Sequence, residues 1–337
     1  MKNILEVKNL KTSFFTHLGE VEAVRGSSFT MQEGDILGIV GESGSGKSVT
    51  ALSIMGLIEE PGKIKEGTIT FNGRELTALS DKEMGNVRGK EITMIFQDPM
   101  TSLNPVYSIQ NQMVEVILRH TDMSKKEAKA HAIGMLEKVG IPQAEERISS
   151  FPFEFSGGMR QRAMIATALS CNPKLLIADE PTTALDVTIQ AQIVDLVKGL
   201  RDEFGMGIIW ITHDLGVIAE ICTKVIVMYG GMIMETGTVN EIFHESQHPY
   251  TIGLHHSIPR LDLKRKERLI PIKGSPPDLM NPPEGCPFSP RCKYAMRVCL
   301  EKPAPLFEVS EGHRSSCWLL EEGAPDVDVI KTKAKAR

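Results

Sequence analysis

The chain is 337 residues long, with 38 Lys and Arg against 43 Asp and Glu, a net charge of -5 and 41% hydrophobic residues. This balance describes a globular protein of about two domains, excludes disorder throughout, and gives no global electrostatic footprint for nucleic acid. Its longest apolar stretches, Gly207 to Ile211 and Val225 to Tyr229, are soon broken by His213, Asp214, Lys224 or Glu235, far short of the roughly 20 residues of a spanning helix. Met1 to Val7 carries charges and has no apolar h-region or cleavage site. A signal peptide is therefore not expected, the compartment is expected to be reducing, and structural disulfides are not expected.

In chain order, the first informative element is the apolar run Ile36 to Val40, which reads as a buried strand. It is followed by Gly41, Glu42, Ser43, Gly44, Ser45, Gly46, Lys47, Ser48 and Val49, with helical spacing from Val49 to Leu57. This is the P-loop pattern in its strand, loop and helix context. Its glycines let successive N–H groups converge on phosphate oxygens, and the helix start adds its positive dipole end. Lys47 is expected to reach the β- and γ-phosphates and Ser48 to hold Mg²⁺.

Ile92 to Phe96 reads as a strand ending at Gln97, and Ser124 to Glu127 as a capping box that opens an amphipathic run to Val139. Leu175 to Ala178 is an apolar strand ending in Asp179 and Glu180, at the carboxyl edge where α/β sheets bind ligands. Asp179 suits Mg²⁺ through water, and Glu180 suits orienting and deprotonating an attacking water. Gly207 to Thr212 is a further strand, followed by His213. The character of the chain changes near residue 250. Twelve of nineteen Pro lie from Pro249 onward, and four of six Cys lie between Cys286 and Cys317. Little in this part suggests a conventional core. Cys286, Cys292, Cys299 and Cys317 have five, six and seventeen residues between them, a spacing unlike paired C-x₂-C zinc sites and suited to a soft metal in a reducing compartment. Cys171 and Cys222 read as small hydrophobes.

Phe155, Ser156, Gly157, Gly158, Met159, Arg160, Gln161 and Arg162 resemble the signature motif of ATP-binding cassette (ABC) ATPases, with Met159 where Gln is usual. The resemblance covers about residues 4 to 250. It implies an α/β P-loop NTPase fold with a RecA-like core, an antiparallel β subdomain and a helical subdomain over about 98–165. It also implies that Ser156, Gly157 and Gly158 meet ATP held by a partner cassette. Gln97 resembles the Q-loop glutamine sensing Mg²⁺ and water, Asp186 belongs to a D-loop-like Ala184 to Asp186, and His213 resembles the switch histidine. Phe14 resembles the aromatic that stacks on adenine, with Phe15 the competing candidate. Asp98 to Pro105 resembles the stretch that meets transmembrane subunits in importers.

His248 to Thr251, Ile272 to Pro277 and Gly285 to Cys292 resemble the C-terminal region of oligopeptide and dipeptide importer ATPases, the D-type subunits. That resemblance implies domains at 1–250 and 251–325 with a tail at 326–337 expected to be disordered. Its further implications are a [4Fe-4S] cluster on the four cysteines, with zinc or free thiols as alternatives, and two membrane permease subunits. The other partners are an extracytoplasmic substrate-binding protein and a second cassette, either an F-type paralogue or this chain again, with no nucleic acid. The expected place is the cytoplasmic face of the membrane. Peptide is the implied cargo, nickel chelate or glutathione the alternatives, and a soluble non-transport ATPase the competing class.

Overall fold

The computed structural model describes residues 3–98, 102–183, 186–257, 271–328 and 330. Ala184, Leu185, part of the 98–105 loop and the tail from 331 lie outside them. The chain divides into two compact units, one of residues 1–4, 31–36 and 75–211, the other of 5–30, 37–74 and 212–337.

In the first unit, β6 (Ile92–Ile95), β7 (Leu175–Asp179) and β8 (Gly207–Thr212) run parallel, with Ile95 opposite Ala178 and Asp179 opposite Ile211. Every residue of β7 and β8 is buried, which is why these segments read as continuous apolar runs rather than alternating ones. The expected strand 92–96 stops one residue early. Pairing with β7 ends at Ile95, and Phe96 turns out to 40% exposure.

This unit also carries the short helices α2 (Asp81–Val87) and α5 (Ala144–Arg147), and helices α3 (Ile109–His120), α4 (Lys125–Lys138) and α6 (Gly157–Leu169) pack on one another in it. The capping box at Ser124 and Glu127 is present, and it aims a stripe of Ala128, Ala132, Met135 and Leu136 into the interior. α7 (Val187–Phe204) buries Ile193, Val194, Val197 and Leu200 and ends at Gly205, whose φ of 65° a side chain would disfavour.

Strands from both sides of the P-loop in sequence, β1 (Asn3–Thr16), β2 (Gly19–Gln32), β4 (Gly62–Phe71) and the short β5 (Arg74–Glu75), form a four-stranded sheet in which β1 and β4 pair antiparallel. β3 (Ile36–Val40) pairs in parallel with β9 (Lys224–Tyr229), β9 pairs antiparallel with β10 (Met232–Thr238), and β12 (His313–Ser315) and β11 (Phe307–Ser310) extend the sheet beyond β10. The Cys-rich segment therefore extends the sheet built by β3, β9 and β10. A buried carboxylate holds that junction: Glu235 accepts His313 Nε2–H at 2.8 Å, the Gln247 N–H at 2.6 Å and the His248 N–H at 3.1 Å. Three donors, two of them main-chain, satisfy a charge that would otherwise be costly to bury.

The expectation of little core after residue 250 needs correction. Trp318 packs with Ala304 and Cys299, and Leu319 and Leu320 pack with Tyr294, Val309 and Val327. Two small apolar clusters form because short strands and turns bring distant residues together, which the Pro content concealed.

Candidate functional site

The phosphate loop lies in the second unit. α1 (Lys47–Met55) begins two residues earlier than the apolar spacing suggested and stops at Gly56, with φ of 61°. Gly46 caps it with φ of 96° and no side-chain cap, so the first-turn N–H groups are offered to a ligand instead of a Ser or Asp side chain. A Cβ on Gly41 would stand 2.1 Å from the Met228 carbonyl and one on Gly46 2.5 Å from that of Ala23. Only glycine fits such contacts. Lys47 Nζ folds back to the carbonyls of Gly41 and Glu42, both at 2.9 Å, and stands 3.4 Å from Ser45 Oγ. Ser45 and Lys47 are buried, Ser43 and Gly44 are exposed, and Ser48 and Val49 are half-buried.

The acidic pair lies in the first unit. Asp179 ends β7 and is 6% exposed. Glu180 turns into the left-handed region with φ of 46°, a conformation that costs a non-glycine residue about 1–3 kcal/mol and clusters at functional positions. Its N–H donates to the Ile211 carbonyl at 2.9 Å, and its Oε2 accepts Gln97 Nε2–H at 3.0 Å and the Thr183 hydroxyl at 2.9 Å. Gln97 and Glu180, 83 residues apart, are thus brought together. Thr183 was not anticipated, although its place three residues after Glu180 was a legible cue for a hydroxyl-to-carboxylate bond.

Ser156 caps α6 by accepting the Met159 N–H at 3.3 Å, and both Ser156 and Gly157 are exposed. Asp186 caps α7 by accepting the Ile189 N–H at 2.9 Å. His213 follows β8 and is exposed. Phe14 is half-buried opposite Gly62, where a Cβ would stand 2.6 Å from its ring, whereas Phe15 is 39% exposed with the Lys63 ammonium 4.7 Å from its centroid.

Cys286, Cys292, Cys299 and Cys317 line one cavity together with Phe288 and Trp318. Gly285 makes room there, since a Cβ on it would stand 2.1 Å from the Cys299 carbonyl. Burial pushes the Cys286 and Cys317 thiols up to about 12 and raises that of Cys292. Bare thiols so placed keep their protons, and a bound cationic group would hold them as thiolates. Among the described residues no three His, Cys, Asp or Glu side chains are grouped closely enough to hold a metal ion. A single tetrahedral zinc, with Zn–S of about 2.3 Å, needs its sulfurs about 3.8 Å apart. Cys171 and Cys222 stand apart from this cavity, with both thiols raised by burial.

A family profile described as ABC transporter matches residues 24–183, and one described as Oligopeptide/dipeptide transporter, C-terminal region, matches residues 234–299. The chain is 56% identical over 336 residues to the oligopeptide transport ATP-binding protein OppD of Bacillus subtilis (strain 168), covering 99% of this chain and 94% of that protein. It is 52% identical to the dipeptide transport ATP-binding protein DppD of the same organism, covering 96% and 97%. Among solved structures, the dimeric post-hydrolysis state of the ATP-binding cassette MJ0796 bound to ADP and Pi matches with a TM-score of 0.63 at 26% identity, covering 70% of this chain and 98% of that one. CbiO1 from Clostridium perfringens, part of the transporter complex cbiONQ, matches with a TM-score of 0.62 at 27% identity, covering 73% and 92%.

Proposed function

We infer that this chain, which belongs to the ATP-binding subunits of oligopeptide and dipeptide ABC transporters, hydrolyses ATP with Glu180 as general base and drives peptide import through membrane subunits supplied by other chains. The observation that carries the chemistry is the Glu180 carboxylate, held by Gln97 and Thr183 at the end of a buried strand. A carboxylate held in place by two donors is positioned to align a water and take its proton. Lys47 and the N–H groups of the loop and helix start bind the phosphates, and the exposed His213 serves the γ-phosphate.

Mg²⁺, when bound, offsets charge that develops on the phosphates. The Ser48 hydroxyl, the Asp179 carboxylate and the Gln97 amide are the oxygen donors that suit it.

The chain carries one P-loop and one signature motif, so two complete sites require a second cassette, either a paralogue of the F type or a second copy. Ser156, Gly157 and Gly158 present an exposed helix start to the nucleotide of that partner. Val106 and Tyr107, 72% and 53% exposed, and the stacked Phe151 and Phe153 are exposed apolar side chains of the kind that suit a permease subunit. No helix of the described residues is long and apolar enough to cross a membrane, and we place the protein at the cytoplasmic face, held there by its permease.

Peptide as cargo rests on the C-terminal region. In the complex reconstituted with permease subunits and binding protein, di- or oligopeptide should stimulate ATP hydrolysis several-fold. Stimulation by nickel chelate or glutathione alone would overturn the peptide assignment, and no response to any of them would overturn transport.

The four cysteines are proposed to hold a [4Fe-4S] cluster that stiffens the C-terminal segment. Anaerobic purification should give about four iron and four sulfide per chain. Zinc without sulfide would reject the cluster.

A further inference from the structure

Arg291, one residue before Cys292, reaches back across the sequence to the P-loop. Its Nη1 and Nη2 take the Glu42 carboxylate as a fork, at 2.6 and 3.1 Å. The remaining N–H groups go to Tyr229 Oη at 2.9 Å and to the Lys273 and Ile272 carbonyls, both at 3.0 Å. Five donors thus meet five acceptors, and the Arg291 side chain is only 5% exposed. The same Glu42 donates its main-chain N–H to Tyr250 Oη at 2.9 Å.

We propose that Arg291 is a positioning residue for the P-loop, through which the state of the four-cysteine module sets the affinity of this chain for ATP. Lys47 links the loop to the phosphates. Its ammonium steadies the loop by donating to the Gly41 and Glu42 carbonyls, and each donor it turns to a phosphate leaves one of those carbonyls. Arg291 and Tyr250 hold Glu42 from the other side and need not let go when the phosphates arrive. They preserve the loop's curvature at the moment its own lysine is recruited elsewhere, which lowers the reorganisation that binding requires.

The position of Arg291 depends in turn on the cysteines. It ends the short turn Ser289–Arg291, which is bracketed by the Ser289 N–H to the Cys286 carbonyl at 3.0 Å and the Cys292 N–H to the Ser289 carbonyl at 3.3 Å. Gly274, at φ of 86°, packs its backbone under the Arg291 stem, where a Cβ would stand 3.3 Å away. Cys286 and Cys292 hold both ends of the turn that aims the guanidinium, so loosening them releases the fork.

The inference rests on the P-loop reading, and the two fail differently. Titration of the purified full chain with Mg²⁺-ATP by calorimetry should show Arg291→Ala raising Kd about tenfold, the scale of one charge-assisted hydrogen bond lost. KM for ATP should rise in step, with kcat within about twofold. Arg291→Lys keeps the charge without the fork and should recover only part of the affinity. Glu42→Gln should weaken binding as Arg291→Ala does, and the double variant should be no weaker than either single one. A Cys286→Ser, Cys292→Ser variant should raise Kd in the wild-type background but not beside Arg291→Ala. A wild-type Kd in Arg291→Ala, or in Glu42→Gln should the arginine variant not fold, overturns the proposal. So does a cysteine effect that persists without Arg291. A wild-type chain that binds no ATP would instead overturn the P-loop reading.

Discussion

Glutamine in place of Glu180 should slow ATP hydrolysis by about 10²–10⁴-fold, the range expected for loss of a general base, and should leave ATP affinity near the wild-type value. The shape of the site predicts the second half as firmly as the first. Glu180 Oε2 accepts hydrogen bonds from Gln97 and Thr183, and the carbonyl oxygen of a glutamine accepts both equally well. The N–H bond to the Ile211 carbonyl and the left-handed backbone at φ of 46° are untouched. What disappears is the basic oxygen. Single-turnover hydrolysis measured beside calorimetric ATP binding separates the two effects. Turnover within about threefold of wild type would remove Glu180 as the base. Absence of turnover in the wild-type complex would favour a nucleotide-binding scaffold over an engine.

Much of this site was legible because its local requirements are written locally. Gly41 and Gly46 stand where a side chain would collide with backbone, so glycine is demanded by geometry and recurs at a fixed spacing. β7 and β8 are buried on both faces, so their apolar runs stood out without alternation. The box at Ser124 and Glu127 is equally visible, and the same Ser-x-x-Glu pattern at Ser80 and Glu83 forms a second box. Partnerships across the sequence left no such trace. Nothing near Glu42 announces Arg291, 249 residues away, and nothing near Glu235 announces His313, 78 residues away. The second contact is made possible by the sheet extending to β12, and that extension was hidden because short strands between prolines carry too few residues to show a period. The choice between Phe14 and Phe15 stayed open for a related reason. Neighbours on a strand point to opposite faces, and only the packing of Phe14 at Gly62 distinguishes the two.

Aspartate at Gly157 should leave the isolated chain folded and able to bind ATP, yet lower hydrolysis by the assembled complex at least about 10²-fold, the scale seen when one donor to a developing oxyanion is removed. Gly157 is the first residue of α6 and is exposed, and a Cβ built on it meets nothing within 4 Å. An acidic side chain there also complements the helix dipole, a gain of about 0.3–1 kcal/mol. Sterics and local electrostatics therefore both favour the variant's own fold. The loss arises only if a second anion must sit at the same helix start, because a fixed carboxylate then repels the γ-phosphate of a partner cassette and blocks closure. Alanine at the same position has the same room and no charge, so most of the activity should survive it. Calorimetry on the isolated variant and hydrolysis by the complex are the two measurements that separate the cases. If ATP binding by the isolated chain falls as far as turnover does, Gly157 acts within its own chain, and if turnover persists, the shared-site arrangement is wrong.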